Sequence, residues 1–471
     1  MMKMPALLAS PLDGRAVLRL AFLASIIVTV LPYGSVYPFF GHLAAATQGA
    51  LLAAGLFIPI DNPALSRLFW STLWLTLALA GWVLVQAAFF AGNPLAHPIW
   101  ATANGLTGGS GGSLSVAPGD TLAALPALIT PLLVFLNGLV LVGDERDARR
   151  LWRQLCFFGA IVAGVAILQF VLLPKTLLVG EKEFYRDSLT AVFVNRNNAA
   201  TFLGLTVVGL AALLVQQWRD LEHKDLLRRL YEINLRRRDR YFRFFSLAAA
   251  AAIVLLALFL TKSRAGIGAS FVALVFISVL VARTRGRQSM TTAKRLGLIA
   301  LQVLAITLVF LTFSSRTIQR FEESGLDDPR WCSLASVREA IADQPLGGTG
   351  FGTFEQVFPL YRSIECGIVG VLDRAHNSYL EGYLGLGLPF AMAVVAAVFL
   401  ILPALMQGYR SRRRQRSFPI STMAATLLVA LHSFVDFPLQ ITGVSTFYAA
   451  LLAAGISISL GRSSRPEPRH A

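Results

Sequence analysis

Long apolar runs alternate with short polar ones along almost the whole chain. Twelve runs, at about 18–36, 43–60, 68–91, 121–143, 154–173, 198–217, 244–262, 265–282, 296–314, 382–407, 418–436 and 441–460, are long enough to cross a hydrocarbon core of ~30 Å. They are continuous rather than alternating, which predicts helices and not barrel strands, and a helix satisfies its own backbone groups in lipid. The expectation is an all-α, polytopic integral membrane protein with about 12 transmembrane helices. A long polar stretch separates the ninth and tenth runs. It divides the chain into residues 1–314 with helices 1–9, a loop domain over 315–381, and 382–471 with helices 10–12 and a tail. The first run follows Lys3, Arg15 and Arg19 and meets no small-residue cleavage site, so it reads as a retained helix.

Composition agrees: 55% of the 471 residues are hydrophobic and 14% charged. Charge adds orientation. With both termini cytoplasmic, the inside loops hold 30 of the 42 Lys and Arg, and the net +16 divides into +19 inside and −3 outside. That is the positive-inside pattern, and it removes the nucleic-acid reading, because the basic charge belongs to topology. The largest inside loop, Arg219 to Arg243, carries nine basic residues and spaces Leu226, Leu230 and Ile233 on one helical face. A surface helix on anionic headgroups and a solvated charge run both fit it.

The outside segments carry the candidate chemistry. A Gly/Ser-rich stretch from Thr107 to Ser115 is expected to be a flexible connector. Further on, Phe193-Val194-Asn195-Arg196-Asn197-Asn198 precedes the sixth run, where the asparagines suit helix capping. Ser263-Arg264-Ala265-Gly266 forms a tight turn that places an arginine at the membrane boundary. Within the long loop, Asp328 as cap and Pro329 at the first position predict a helix running to Asp343, stopped by Pro345.

The glycine run from Leu346 to Phe354 permits turns closed to other residues. No Lys-Ser/Thr follows it and no βαβ unit surrounds it, so it is not a phosphate loop. Cys332 and Cys366 share the loop domain, where either a disulfide or two free thiols is open, while Cys156 is expected to be buried. Asp373-Arg374-Ala375-His376-Asn377-Ser378-Tyr379-Leu380 then brings an arginine and a histidine to the point where loop meets lipid. Arg374 has two readings, a substrate-phosphate ligand and a partner of Asp373. His432 and Asp436, one helical turn apart, read most simply as an internal hydrogen bond.

Arg196, Arg264 and His376 thus come from three outside boundaries, and no helix interior in this reading carries a formal charge, which disfavours transport through the bundle. At this point the chain resembles the superfamily of bacterial O-antigen ligases and O-antigen polymerases. Four matches in order carry the resemblance: Phe193-Val194-Asn195-Arg196-Asn197, Ser263-Arg264-Ala265-Gly266, the run Pro345 to Phe354, and Ala375-His376-Asn377-Ser378-Tyr379-Leu380. A weaker fifth is His432-Ser433-Phe434-Val435-Asp436-Phe437-Pro438.

The resemblance implies a glycosyltransferase of the bacterial inner membrane whose loop domain and site face the periplasm; no cofactor is expected, nor, from the residues themselves, a metal. The donor would be a glycan on undecaprenyl diphosphate. The acceptor would be lipid A-core for a ligase, or another carrier-linked glycan for a polymerase. The roles implied are diphosphate contacts from Arg196 and Arg264 and acceptor activation by His376. Arg374, Asn377 and Asn195 are candidate substrate contacts. No Asp-x-Asp pair, the usual metal site of nucleotide-sugar transferases, occurs in the chain. A small-solute transporter is the alternative from another class, and oligomeric state is not legible.

Overall fold

The computed structural model describes residues 14–220, 235–284, 329–363 and 370–461. The ninth apolar run, the core of the basic loop and the side chains of Cys332 and Cys366 lie outside the described residues. Within them the regular elements are helices apart from two two-residue strand pairs. The helices are α1 (Gly14–Val30), α2 (Pro38–Gly55), α3 (Pro63–Ala87), α4 (Ile99–Thr107), α5 (Pro118–Leu141), α6 (Glu145–Leu172), α7 (Arg196–Asp220), α8 (Leu235–Leu260) and α9 (Arg264–Thr284). They continue as α10 (Pro329–Asp343), α11 (Phe354–Tyr361), α12 (Ser378–Leu386), α13 (Leu388–Ser411), α14 (Ser417–His432) and α15 (Thr442–Leu460).

Eight of these, α3, α5 to α9, α13 and α15, are long and apolar enough to cross a membrane, and α14 is a shorter apolar helix. The protein is a multi-pass membrane protein. α7 and α15 are the central helices, whereas α8 and α13 turn most of their surface outward. Small residues explain the centre. A Cβ on Gly455 of α15 would lie 1.9 Å from Thr422 Oγ1, and one on Gly138 of α5 would lie 2.4 Å from Ala453. Side chains this small let helix backbones approach closely, which replaces the hydrophobic driving force that lipid does not supply. Phe202 and Phe447, with ring centroids 4.6 Å apart, fill the space between the two central helices.

Contacts among the described residues group several of the expected inside segments at one end of the bundle and several of the expected outside segments at the other. At one end Arg412 bonds Glu145 at 3.1 Å and Ser459 O at 3.2 Å, and Asn62 bonds Leu460 O at 2.8 Å. Asn62, Glu145 and Arg412 belong to loops expected inside, and Ser459 and Leu460 to the inner end of the last run. At the other end the loops expected outside bond one another: Leu189 N to Leu260 O at 2.9 Å, Ser378 N to Ser433 O at 2.9 Å and Val116 N to Thr349 O at 3.0 Å. There Tyr33, Gly34 and Ser35 all take left-handed backbone, with φ of 55°, 67° and 52°. A Cβ on Gly34 would sit 2.4 Å from the ring of Phe193, and one on Gly443 would meet Gly34 Cα at 2.8 Å.

Several elements differ from the sequence reading. The tenth run is two helices, because Gly387 (φ +67) breaks it between α12 and α13. No other residue fits that break: a Cβ there would come within 2.3 Å of Leu346 O. The fifth run begins earlier, at Glu145, since Asp144 caps the helix through Arg146 N and the polar residues that follow remain helical. The stretch Thr107 to Ser115 is not a flexible connector. Ser113 and Ser115 are fully buried, and Ser115 N bonds Gln86 O at 2.8 Å. The helix foreseen over 329–343 is α10, and Pro345 follows its end.

Candidate functional site

Arg196 and Arg264 stand at the first positions of α7 and α9, the ends where unpaired helix N–H groups and the macrodipole favour anions. Two links join these ends to α14. Thr201, in the second turn of α7, bonds His432 Nδ1 at 2.7 Å, and a Cβ on Gly266 of α9 would lie 3.1 Å from His432 Cε1. α14 ends at His432, and four residues later Asp436 faces His376, with Nδ1 and Oδ1 3.5 Å apart. The three boundaries singled out in the sequence therefore meet at one end of α7, α9 and α14.

The expected His432–Asp436 hydrogen bond is replaced. Beyond Ser433 the α-helical bonds give way to tighter turns, Phe434 N to Leu431 O at 3.3 Å and Val435 N to His432 O at 3.1 Å, so the i, i+4 relation is lost; His432 turns to Thr201 and Asp436 to His376. Asp436 is 1% exposed, and Oδ1 also accepts from Phe437 N at 2.8 Å. Burial pushes this carboxyl up, but the contact with His376, the charge of His432 and the Phe437 N–H together hold it below its ordinary range. Asp436 is thus anionic at neutral pH and a partner for an imidazolium.

His376 has left-handed backbone, φ 50°, unusual for a residue with a Cβ. Its neighbours hold it there. Ala375 is buried in a small core with Val337 and Ala340 of α10, Phe354, Val357 and Phe358 of α11, and Leu384 of α12. On the other side Asn377 caps α12, accepting from Tyr379 N and Leu380 N at 3.0 Å, and donates to Phe434 O at 2.9 Å. Strain over-determined in this way clusters at functional positions.

Asn195 likewise caps its helix, accepting from Asn197 N at 2.8 Å. Both asparagines expected to contact substrate have capping duties. Arg374 pairs with Glu381 at 3.4 Å rather than with Asp373, because Glu381 of α12 turns back and also accepts from Ala375 N at 2.7 Å. Burial pushes the Glu381 carboxyl up, against the pull of Arg374 and of that N–H. Glu381→Gln retains an acceptor for Ala375 N, whereas Glu381→Ala leaves a buried N–H and a guanidinium without theirs. The expected result is that the Ala variant loses about 1–3 kcal/mol, and the Gln variant less, by thermal unfolding in detergent.

Arg196 donates to Ser188 Oγ at 3.2 Å and lies 5.2 Å over the Tyr185 ring. Ser188 O accepts from Lys182, a buried lysine whose pKa burial lowers against the opposing charge of Asp187. Asp187 in turn holds Lys262, two residues before Arg264, at 3.2 Å. The turn 187–189 therefore carries cationic side chains from both arginine-bearing loops. Asp436, Glu381, Lys182 and Tyr185 were not identified as site or bracing residues from sequence. A lone acid in a 433–440 loop matched to the histidine motif was the one available signal.

The glycine run packs as a strap and not as an anion loop. Thr349 N bonds Leu384 O at 2.8 Å, Gly350 N bonds Gly385 O at 3.1 Å, and Phe351 N bonds Gln86 Oε1 at 3.2 Å, so these N–H groups are spent on the fold. Gly348 (φ +70) allows this contact, since a Cβ would lie 2.5 Å from Gly385 O. Among the described residues no group of three His, Cys, Asp or Glu side chains is placed to hold a metal.

Residues 249–395 match the family model described as O-antigen ligase. The match supports the O-antigen ligase and polymerase superfamily, which the sequence motifs also resemble. It includes Arg264 and His376 and leaves Arg196 and Asp436 outside. No curated protein matches the chain.

Proposed function

We propose that this protein is an inner-membrane glycosyltransferase that moves a glycan from undecaprenyl diphosphate to an acceptor hydroxyl on the periplasmic side, with lipid A-core as acceptor. The observation that carries the reading is the convergence of two helix-initiating arginines with a histidine that faces a buried carboxylate. The acceptor O–H gives its proton to His376 through Nε2, the nitrogen away from Asp436. The oxygen attacks the anomeric carbon, and the bond to the diphosphate oxygen breaks with its electron pair. Arg196 and Arg264 bind the charge that develops on the leaving diphosphate. Asp436 stabilises the imidazolium. One displacement of this kind inverts the anomeric centre without a glycosyl–protein intermediate, and a trapped adduct would exclude it.

The test is transfer in proteoliposomes from purified undecaprenyl-diphosphate glycan, with lipid A-core supplied or withheld. Transfer that requires lipid A-core, and that falls by about 10²–10³ in Arg264→Ala, supports the ligase. Longer carrier-linked glycans without lipid A-core identify a polymerase of the same superfamily. Solute uptake with no glycan transfer points to a transporter.

A further inference from the structure

The segment between α3 and α5 has no place in the chemistry above. Residues 88–117 contain no Asp, Glu, Lys or Arg, although they join two helices outside the bundle. The segment is a hairpin: Phe90–Ala91 pairs antiparallel with Gly111–Gly112, and α4 lies between them. Thr102, Thr107 and Ser110 are exposed, but its other polar side chains bond within the segment. Trp100 Nε1 bonds Ser115 O at 3.0 Å, Asn104 Nδ2 bonds Gly111 O at 2.8 Å, and Asn93 Nδ2 bonds Ala88 O and Gly112 O, each at 3.1 Å. Its large apolar side chains turn outward. Phe89, Phe90, Leu95 and Ile99 are exposed, and Leu106 is 84% exposed.

A loop built for water carries charge and leaves backbone groups to solvent; a segment in lipid must satisfy them internally. By contrast, the loop 173–195 at the same end holds Lys175, Glu181, Lys182, Glu183, Arg186 and Asp187. We infer that the hairpin 88–112 lies in the bilayer, its outward side chains seated at the boundary of headgroups and acyl chains on the same side as His376. The partner is the lipid surface itself. An interfacial element of this kind sits about 5–10 Å deep, and an inward-bonded tryptophan suits that boundary.

The depth matters because the hairpin is braced to the site. Val116 N bonds Thr349 O, and Leu114 packs against Gly347, so the hairpin sets the height of the glycine strap and of the core that buries Ala375. The lipid surface thereby becomes the reference plane for His376.

The test uses the full chain in lipid nanodiscs with Cys332→Ser and Cys366→Ser. A nitroxide is attached at Leu106→Cys or, as an aqueous control, at exposed Glu183→Cys; Cys156 is buried. Power saturation should show the label at 106 colliding several-fold more with oxygen than with a nickel chelate, and the reverse at 183. Equal access of the nickel chelate to both positions would overturn the inference. So would dipolar broadening at 106 that is lost on dilution with unlabelled protein, since a second copy would then cover the surface. Neither readout depends on glycan transfer, so it stands or fails separately from the proposed activity.

Discussion

His376→Ala is expected to abolish glycan transfer, by about 10²–10⁴-fold, while the protein still folds. The side chain is 23% exposed, with Asp436 Oδ1 3.5 Å from Nδ1 and the Phe437 ring 5.1 Å away between centroids, so its loss opens little core cavity. Alanine keeps the Cβ, so the strain of the left-handed backbone is unchanged, and the stability change is confined to the contact that Asp436 loses. Asp436→Asn is the informative companion. The amide oxygen still accepts from Phe437 N, so the loop keeps its shape, while the negative charge facing the imidazole is gone. Its rate should fall between wild type and His376→Ala. Initial rates in proteoliposomes, with melting curves on the same preparations, check both. Wild-type transfer by His376→Ala would remove the mechanism.

Gln86→Leu should have the largest effect on stability. Gln86 is fully buried near the end of α3, and its amide serves three backbone groups: Gly347 O and Gly385 O at 2.8 Å, and Phe351 N at 3.2 Å. Leucine matches the volume and meets none of these bonds. Gly385 O keeps Gly350 N, whereas Gly347 O and Phe351 N lose the partner that Gln86 gives them, each at ~1–3 kcal/mol away from water, so the sum is several kcal/mol. Gln86→Glu should be no milder, because it exchanges the donor for a charge facing two carbonyls. Thermal unfolding in detergent should show a large drop for both, with transfer lost in parallel since the glycine strap carries the core beneath His376. A melting point within a degree of wild type would show that water replaces the amide.

Eight of the membrane-spanning helices and the helix at 329–343 were legible because each depends on neighbours in sequence: an apolar run, or an Asp-Pro start with a proline stop. What failed depended on residues far apart. His376 meets Asp436 sixty positions on, and the tight turns that follow the end of α14 free that carboxyl from its own helix. Arg374 chose Glu381 over the adjacent Asp373 because the first turn of α12 doubles back. The Gly/Ser stretch at 107–115 looked flexible by composition. The burial of its 112–115 end comes from Gln86 and Gly350, partners no local pattern displays. Gln86 itself left one trace, a lone amide in an apolar run.

The left-handed turn at Tyr33–Ser35 bears on how much of the chain makes a working unit. Gly34 is pressed beneath Phe193, three residues before Arg196, and against the backbone of Gly443 at the start of α15. The first arginine is thus levelled from the N-terminal region, the histidine's carboxylate comes from beyond residue 430, and the strap hangs from α3. Excision of 249–395 would carry off the family signature and leave behind the parts that give it a shape. Inheritance of this protein as a module, by fusion or domain exchange, would therefore have to take the chain from its first helix to its last.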